Sequence, residues 1–152
     1  MSIPSDFRRV LEGNDPAWTE GLSPSLYLLY GDHLTDRLEA YTVTAFDQIA
    51  QQIMSIRPTT PDATRRKQMS QRLILGMSVR LEVDKDGRIV MPVRQRQKLG
   101  LTEGEVVVSG VGDHFEIWAA KTYEEKVSAE TRAFLEEQGE GFDPMTLVWG
   151  AA

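Results

Sequence analysis

The sequence contains no cysteine. Disulfides, zinc–thiolate sites and thiol catalysis are therefore excluded. It also lacks a long apolar run: no uninterrupted stretch approaches the roughly 18 residues that span a bilayer, so no membrane partner is expected. Met1 to Leu11 has no apolar signal-peptide core, which argues against export and for a cytoplasmic location. No Ser-His-Asp constellation and no metal-ligand spacing is present. Gly110-Val111-Gly112 is too short for a nucleotide loop. The chain does not read as an enzyme. No catalytic residue, metal, cofactor or small-molecule substrate is expected.

What is present suffices for a core. The 152 residues are 41% apolar, enough for one compact domain or two small intertwined units and too apolar for wholesale disorder. Net charge is −6, but it is unevenly spread. Residues 1–64 hold 4 basic and 9 acidic residues, 65–98 hold 10 and 3, and 99–152 hold 3 and 11. A basic centre thus lies beside an acidic C-terminal third. Phosphate affinity follows the local cluster more than the total, although such a run also reads as a solvated helix face.

The chain repeats itself. Ser2-Ile3-Pro4-Ser5-Asp6-Phe7-Arg8 resembles Val90-Met91-Pro92-Val93-Arg94-Gln95-Arg96 at an offset of 88. Leu38-Glu39-Ala40-Tyr41 resembles Phe115-Glu116-Ile117-Trp118 at an offset of 77, and Gly31-Asp32-His33 resembles Gly112-Asp113-His114. Three matches in one order indicate an internal repeat. Its first copy is 11 residues longer between the landmarks, which fits a longer loop around Gly13 to Pro24.

In the second copy, Val79 to Val83 alternates like a strand. Asp84-Lys85-Asp86-Gly87 is a turn, and Arg88 to Met91 is the return strand, closed by Pro92. A short helix follows over Val93 to Leu99, with Gly100 at its end. Strands are expected at Glu105–Val111 and His114–Ala119, then a helix from about Thr122 to Gln138. The first copy repeats the later elements: a helix at Ser5–Leu11, strands at Leu26–Tyr30 and Arg37–Thr42, and a helix near Thr44–Ile53. It lacks the opening hairpin. Between the copies, Thr60 can cap a helix whose first residue is Pro61, running to about Leu75 and stopped by Gly76. Leu81, Val83, Ile89, Val106, Val108, Phe115, Ile117 and Trp118 read as core. The tail from Asp143 gives no regular pattern, and its Met145, Leu147, Val148 and Trp149 are expected to dock on the core rather than form a contact surface.

The main candidate for chemistry is Asp84-Lys85-Asp86-Gly87-Arg88-Ile89-Val90-Met91-Pro92. A turn leading into a strand projects Lys85 and Arg88 from a narrow ridge, and a two-stranded ribbon fits the DNA major groove. Arginine can pair with guanine O6 and N7 while lysine holds a phosphate. On spacing alone the run also reads as an ordinary hairpin with solvated charges. His33 and His114 sit in equivalent turns, so a turn role is expected for them. Glu39 and Glu116, equivalent positions on strands, are expected to form an ion pair or a backbone contact rather than a catalytic carboxylate pair.

The run Asp-x-x-Gly-Arg-Ile-x-x-Pro-x-x-x-Arg, with Val-Gly-Asp-His-Phe-Glu-Ile-Trp after it, resembles the second half of MraZ proteins, tandem relatives of the AbrB and SpoVT regulators. The resemblance runs from Ile3 through at least Tyr123. It implies an α+β fold, a tandem AbrB-like swapped-hairpin β-barrel with flanking helices and a pseudo-twofold internal repeat. Residues 1–47 are then the first SpoVT-AbrB-like repeat, 48–76 linking helices, 77–124 the second repeat, and 125–152 a C-terminal helix and tail. It also implies a ring-like homo-oligomer, associated with the nucleoid, that binds repeated sites on double-stranded DNA and represses a division and cell-wall gene cluster. DNA-facing roles carry over to Lys85 and Arg88, and to Arg96 with its first-copy equivalent Arg8. Arg96 and Arg8 could equally tie the short helix to the hairpin. The alternative function is an AbrB-like antitoxin or protein-interaction module with no independent DNA role. Because Ser2-Ile3-Pro4 begins within the motif, a start codon misplaced downstream of the true one is expected rather than a truncated copy.

Overall fold

The computed structural model describes residues 1–100 and 104–150. The fold is α+β, in two compact units, Met1–Ala119 and Ala120–Ala152. The first is built on a five-stranded antiparallel sheet in the order β3-β1-β2-β5-β4. Its strands are β1 (Ser25–Leu29), β2 (Leu38–Thr42), β3 (Ser78–Glu82), β4 (Val106–Gly110) and β5 (His114–Ala119). Helices α1 (Ser5–Gly13), α2 (Val43–Ser55), α3 (Pro61–Ser70) and α4 (Val93–Lys98) surround them.

The burial pattern explains the sequence of β1. Side chains alternate across a strand, and both faces of β1 are covered. Leu26 and Leu28 enter one cluster with Ile3, Leu11, Leu38, Ala40, Val83, Ile89, Phe115 and Ile117. Leu29 joins a second cluster with Leu34, Tyr41 and Phe46, against which Tyr27 packs. A strand covered on both faces reads as a continuous apolar run, as Leu26-Tyr27-Leu28-Leu29 does. Of the expected core, Val83, Ile89, Phe115, Ile117 and Trp118 are buried. Leu81, Val106 and Val108 are partly buried and pack on the first cluster.

Local signals set the helix ends. Thr42 Oγ1 accepts the Ala45 N–H at 3.1 Å to start α2, whose Phe46 stacks on Tyr27 with ring centroids 4.0 Å apart. Thr60 Oγ1 accepts the Ala63 N–H at 3.0 Å, and Pro61 occupies the first turn of α3. Past Ser70 the helix widens into a π-type turn over Gln71–Leu75. There Ile74 and Leu75 pack on the second cluster, so the expected helix is present but not uniformly α.

The expected return strand takes a different course. β3 pairs antiparallel with β1, Leu81 opposite Leu26. After the turn at 84–87, Arg88 to Met91 does not run back along β3. It bonds to the chain start instead: Ile89 N–H donates to Met1 O at 2.9 Å and Ile3 N–H to Gly87 O at 2.7 Å. The Met1 ammonium donates to Ile89 O at 3.0 Å. The reason lies in the core, where Ile3, Ile89 and Met91 are buried together.

The second unit holds α5 (Ala120–Tyr123), a π-type turn (Glu124–Ser128), α6 (Ala129–Gln138) and α7 (Thr146–Trp149). The tail is therefore partly helical. Within this unit Met145, Leu147, Val148 and Trp149 are exposed, Trp149 by 78%. No helix among the described residues is long and apolar enough to cross a membrane.

Candidate nucleic-acid interface

The Asp84–Arg88 turn is built by its own side chain. Asp84 Oδ1 accepts the backbone N–H of Asp86 and of Arg88, both at 2.9 Å. Gly87 N–H donates to Asp84 O at 3.0 Å and Asp84 N–H to Arg88 O at 2.8 Å. Gly87 has φ +75°, a conformation that costs a side-chain-bearing residue roughly 1–2 kcal/mol. The Arg88 and Asp86 N–H groups and the nearby Arg88 and Arg8 charges hold the Asp84 carboxyl below its ordinary range, against a smaller opposing effect of desolvation. Lys85 and Arg88 are exposed.

Arg8 supports this turn from α1. Its Nη1 donates to the Lys85 carbonyl at 2.9 Å, and its Nε lies 3.7 Å from Glu12 Oε1. The guanidinium thus ties the short helix to the turn. Arg96 is exposed on α4 and lines an open cavity with Met1, Ile89, Val90 and Met91. The structure therefore joins Arg8 to the Lys85–Arg88 turn and sets Arg96 beside the limb that follows it. Sequence reasoning missed Lys98, whose Nζ donates to Tyr30 O and Gly31 O, both at 2.7 Å. Burial lowers its pKa, opposed by Asp32. Its only sequence signal was a lysine in the last turn of a short helix.

A second charged group lies on the β2–β5 seam, where Glu39 stands opposite Glu116. Arg37 bridges them, with Nε 2.8 Å from Glu116 Oε2 and Nη2 3.2 Å from Glu39 Oε2. It lies over Trp118, 5.6 Å from the ring centroid. Burial opposes its charge, but Glu39, Glu116 and Asp36 more than offset this and raise its pKa. The two glutamates are thus ion-paired, as expected, through an arginine that the sequence did not single out. His114 stacks on Tyr41 with centroids 4.7 Å apart and bonds Asp113 through Nδ1 at 2.6 Å. Its Nε2 lies 3.7 Å from Glu39 Oε2. Burial, with Glu39 and Asp113, pushes the Tyr41 hydroxyl well above its ordinary range. Glu39, His114 and Glu116 present possible ligand atoms within 4.8 Å of one another, but Arg37 already occupies the carboxylates.

The chain is similar along nearly its whole length to proteins named transcriptional regulators. One, from Ruegeria pomeroyi, is 40% identical over 99% of this chain and 87% of its own length. Another, from Cereibacter sphaeroides, is 36% identical over 97% and 86%, and one from Dictyoglomus thermophilum is 32% identical over 98% and 88%. Each bears the name "Transcriptional regulator MraZ", and residues 74–141 match the family profile described as "MraZ protein, putative antitoxin-like". The chain belongs to the MraZ family.

Proposed function

We propose that the protein is a sequence-specific DNA-binding repressor, acting in the cytoplasm at the nucleoid on a division and cell-wall gene cluster. The observation that carries this reading is the Asp84–Arg88 turn. It is fixed by four internal hydrogen bonds and by Arg8, and it leaves two cationic side chains exposed. Order fixed before binding lowers the entropy that association must overcome. In this reading Arg88 reads a base edge in the major groove, Lys85 and Arg96 hold phosphates, and Arg8 positions the turn.

One turn touches few base pairs, so a homo-oligomer on repeated sites supplies the affinity by avidity. We further propose that the sheet is a tandem AbrB-like, swapped-hairpin barrel with a pseudo-twofold repeat, divided as 1–47, 48–76, 77–124 and 125–152. The strand register supports it. Leu38 pairs with Ile117, Glu39 with Glu116 and Ala40 with Phe115. At the offset of 77, Leu38 matches Phe115 and Ala40 matches Ile117, so each pair exchanges its members about the Glu39–Glu116 centre. Met1 and Ile89, matched at an offset of 88, likewise bond each other reciprocally.

The test is a salt titration of the full chain on a duplex from its own upstream region. Phosphate contacts predict an affinity that falls steeply as salt rises. An affinity indifferent to salt argues against direct phosphate contact. Recovery of one stoichiometric protein partner and no DNA argues instead for the antitoxin-like role.

A further inference from the structure

Two surfaces on this chain complement one another, and the DNA-reading turn uses neither. The first lies in the unit Ala120–Ala152, where no described side chain is buried. Leu147, Val148 and Trp149 are 66%, 65% and 78% exposed, and Phe134 and Leu135 add to the apolar surface. Isolated exposed apolar residues are ordinary, but several large ones exposed close together in one short segment are where a contact site is sought. Its charge has one sign: from Ala133 onward the sequence holds Glu136, Glu137, Glu140 and Asp143 and no basic residue.

The second surface lies in the first unit, on α2, α3 and the turn between them. Met54, Ile56 and Met69 are 52%, 42% and 36% exposed. Gln71 Nε2 lies 3.4 Å from Met54 Sδ, and Lys67 Nζ donates to Ile56 O at 2.9 Å, which holds α3 against the end of α2. Around this apolar patch residues 54–75 carry five basic side chains, Arg57, Arg65, Arg66, Lys67 and Arg72, against one acid, Asp62. Asp62 is engaged by Arg66 at 2.8 Å. Arg65, Met69 and Arg72 fall at i, i+4 and i+7 and so share one side of the helix. Asp62, Arg65, Arg66 and Met69 line a shallow open concavity.

We infer that the acidic apolar segment 134–149 of one copy docks on the basic apolar face of α3 in a second copy. Apolar side chains would leave water at the centre while carboxylates meet arginines at the rim, the usual anatomy of a protein interface. A contact between two different surfaces is heterologous and propagates around a closed ring or along a filament. The inference deepens the homo-oligomer reading and rests on it by naming the surfaces that join the copies.

Sedimentation velocity of the full chain, over concentration and at two salt levels, tests it. Wild type should self-associate, less readily at high salt. Leu147→Asp with Trp149→Asp should raise the concentration needed for association at least about tenfold, as should Arg65→Glu with Arg72→Glu, while circular dichroism and the melting temperature stay near wild type. Glu136→Lys with Glu137→Lys should weaken association alone. Mixed with the arginine variant it should form mixed assemblies, because each then supplies one intact surface. Undiminished association in all the variants would overturn these surfaces and leave the oligomer reading standing. A wild-type monomer at every concentration, the result if the segment folds onto its own chain, would overturn both. If Arg65→Glu with Arg72→Glu weakens DNA binding without changing assembly, α3 belongs to the DNA and the inference fails.

Discussion

Arg8 and Arg88 are bound to one turn but are engaged differently. Arg8 is engaged by the Lys85 carbonyl, whereas the Arg88 side chain is exposed and its backbone N–H is held by Asp84. Arg8→Ala should therefore act indirectly. The fold should persist, backbone amides of 85–88 should exchange faster, and DNA affinity should fall; unchanged exchange would show that Arg8 is not the support described. Asp84 carries the pH dependence of the turn. Its pKa is depressed in the folded chain, so its contribution is present above the ordinary aspartate range and is lost as pH falls through the lowered value. Protection of the Arg88 amide should then hold through mildly acidic pH and decay only below it, and in Asp84→Asn that acid step should vanish. At the seam, Arg37→Met leaves Glu39 and Glu116 facing each other. Like charges directly opposite on a sheet are unfavourable, by roughly 0.2–1 kcal/mol per cross-strand pair, so we expect a loss of about 1 kcal/mol in unfolding free energy. Denaturant unfolding checks this: adding Glu39→Gln to Arg37→Met should recover part of the loss, and no recovery would contradict it. Arg37 was silent in the sequence because Glu116, which it joins to Glu39, lies on a strand far along the chain. The glutamates were legible because the repeat marked both. The Gly-Asp-His repeat was a weaker guide. His114 is stacked on Tyr41 and His33 is exposed, because a match of three residues fixes a turn and not what packs around it.

At the scale of elements, local chemistry was readable and long-range pairing was not. Strands β2 and β5, the start of α2 and the Thr60–Pro61 start of α3 fall within a residue or two of expectation, since each is set by capping groups or apolar periodicity in its own segment. The Arg88–Met91 limb was misread because its partner, Met1–Ile3, lies at the other end of the sequence. The π-type turns were invisible for a similar reason. They place side chains against packing surfaces that a linear pattern does not contain. Two measurements address these elements. Leu28 is fully buried in the main cluster, so Leu28→Ala should cost about 2–5 kcal/mol in unfolding free energy; a cost under 1 kcal/mol would mean the sheet core is not as described. Gly87→Ala meets no close contact, as the nearest atom to an added Cβ is 3.6 Å away. Its cost should be conformational, roughly 1–2 kcal/mol, and should appear as looser binding rather than a lost fold.

For the whole molecule, charge distribution matters more than net charge. A chain of net −6 is repelled by DNA at long range, so binding requires that cations be concentrated and held in place. The basic centre and acidic C-terminal third were legible from composition alone, but the uses of the two halves were not. Composition could not separate the exposed Arg88 from the engaged Arg8. In the proposed function the Asp84–Arg88 turn reads DNA. Fluorescence anisotropy tests it most directly, comparing wild type with Arg88→Ala on a labelled duplex from the upstream region and on a scrambled duplex, at two salt concentrations. Wild type should bind tightly and salt-sensitively, with a loss of about 1–3 kcal/mol per turn and of sequence preference in the variant. Equal binding by Arg88→Ala, with preference for the upstream duplex intact, would contradict it.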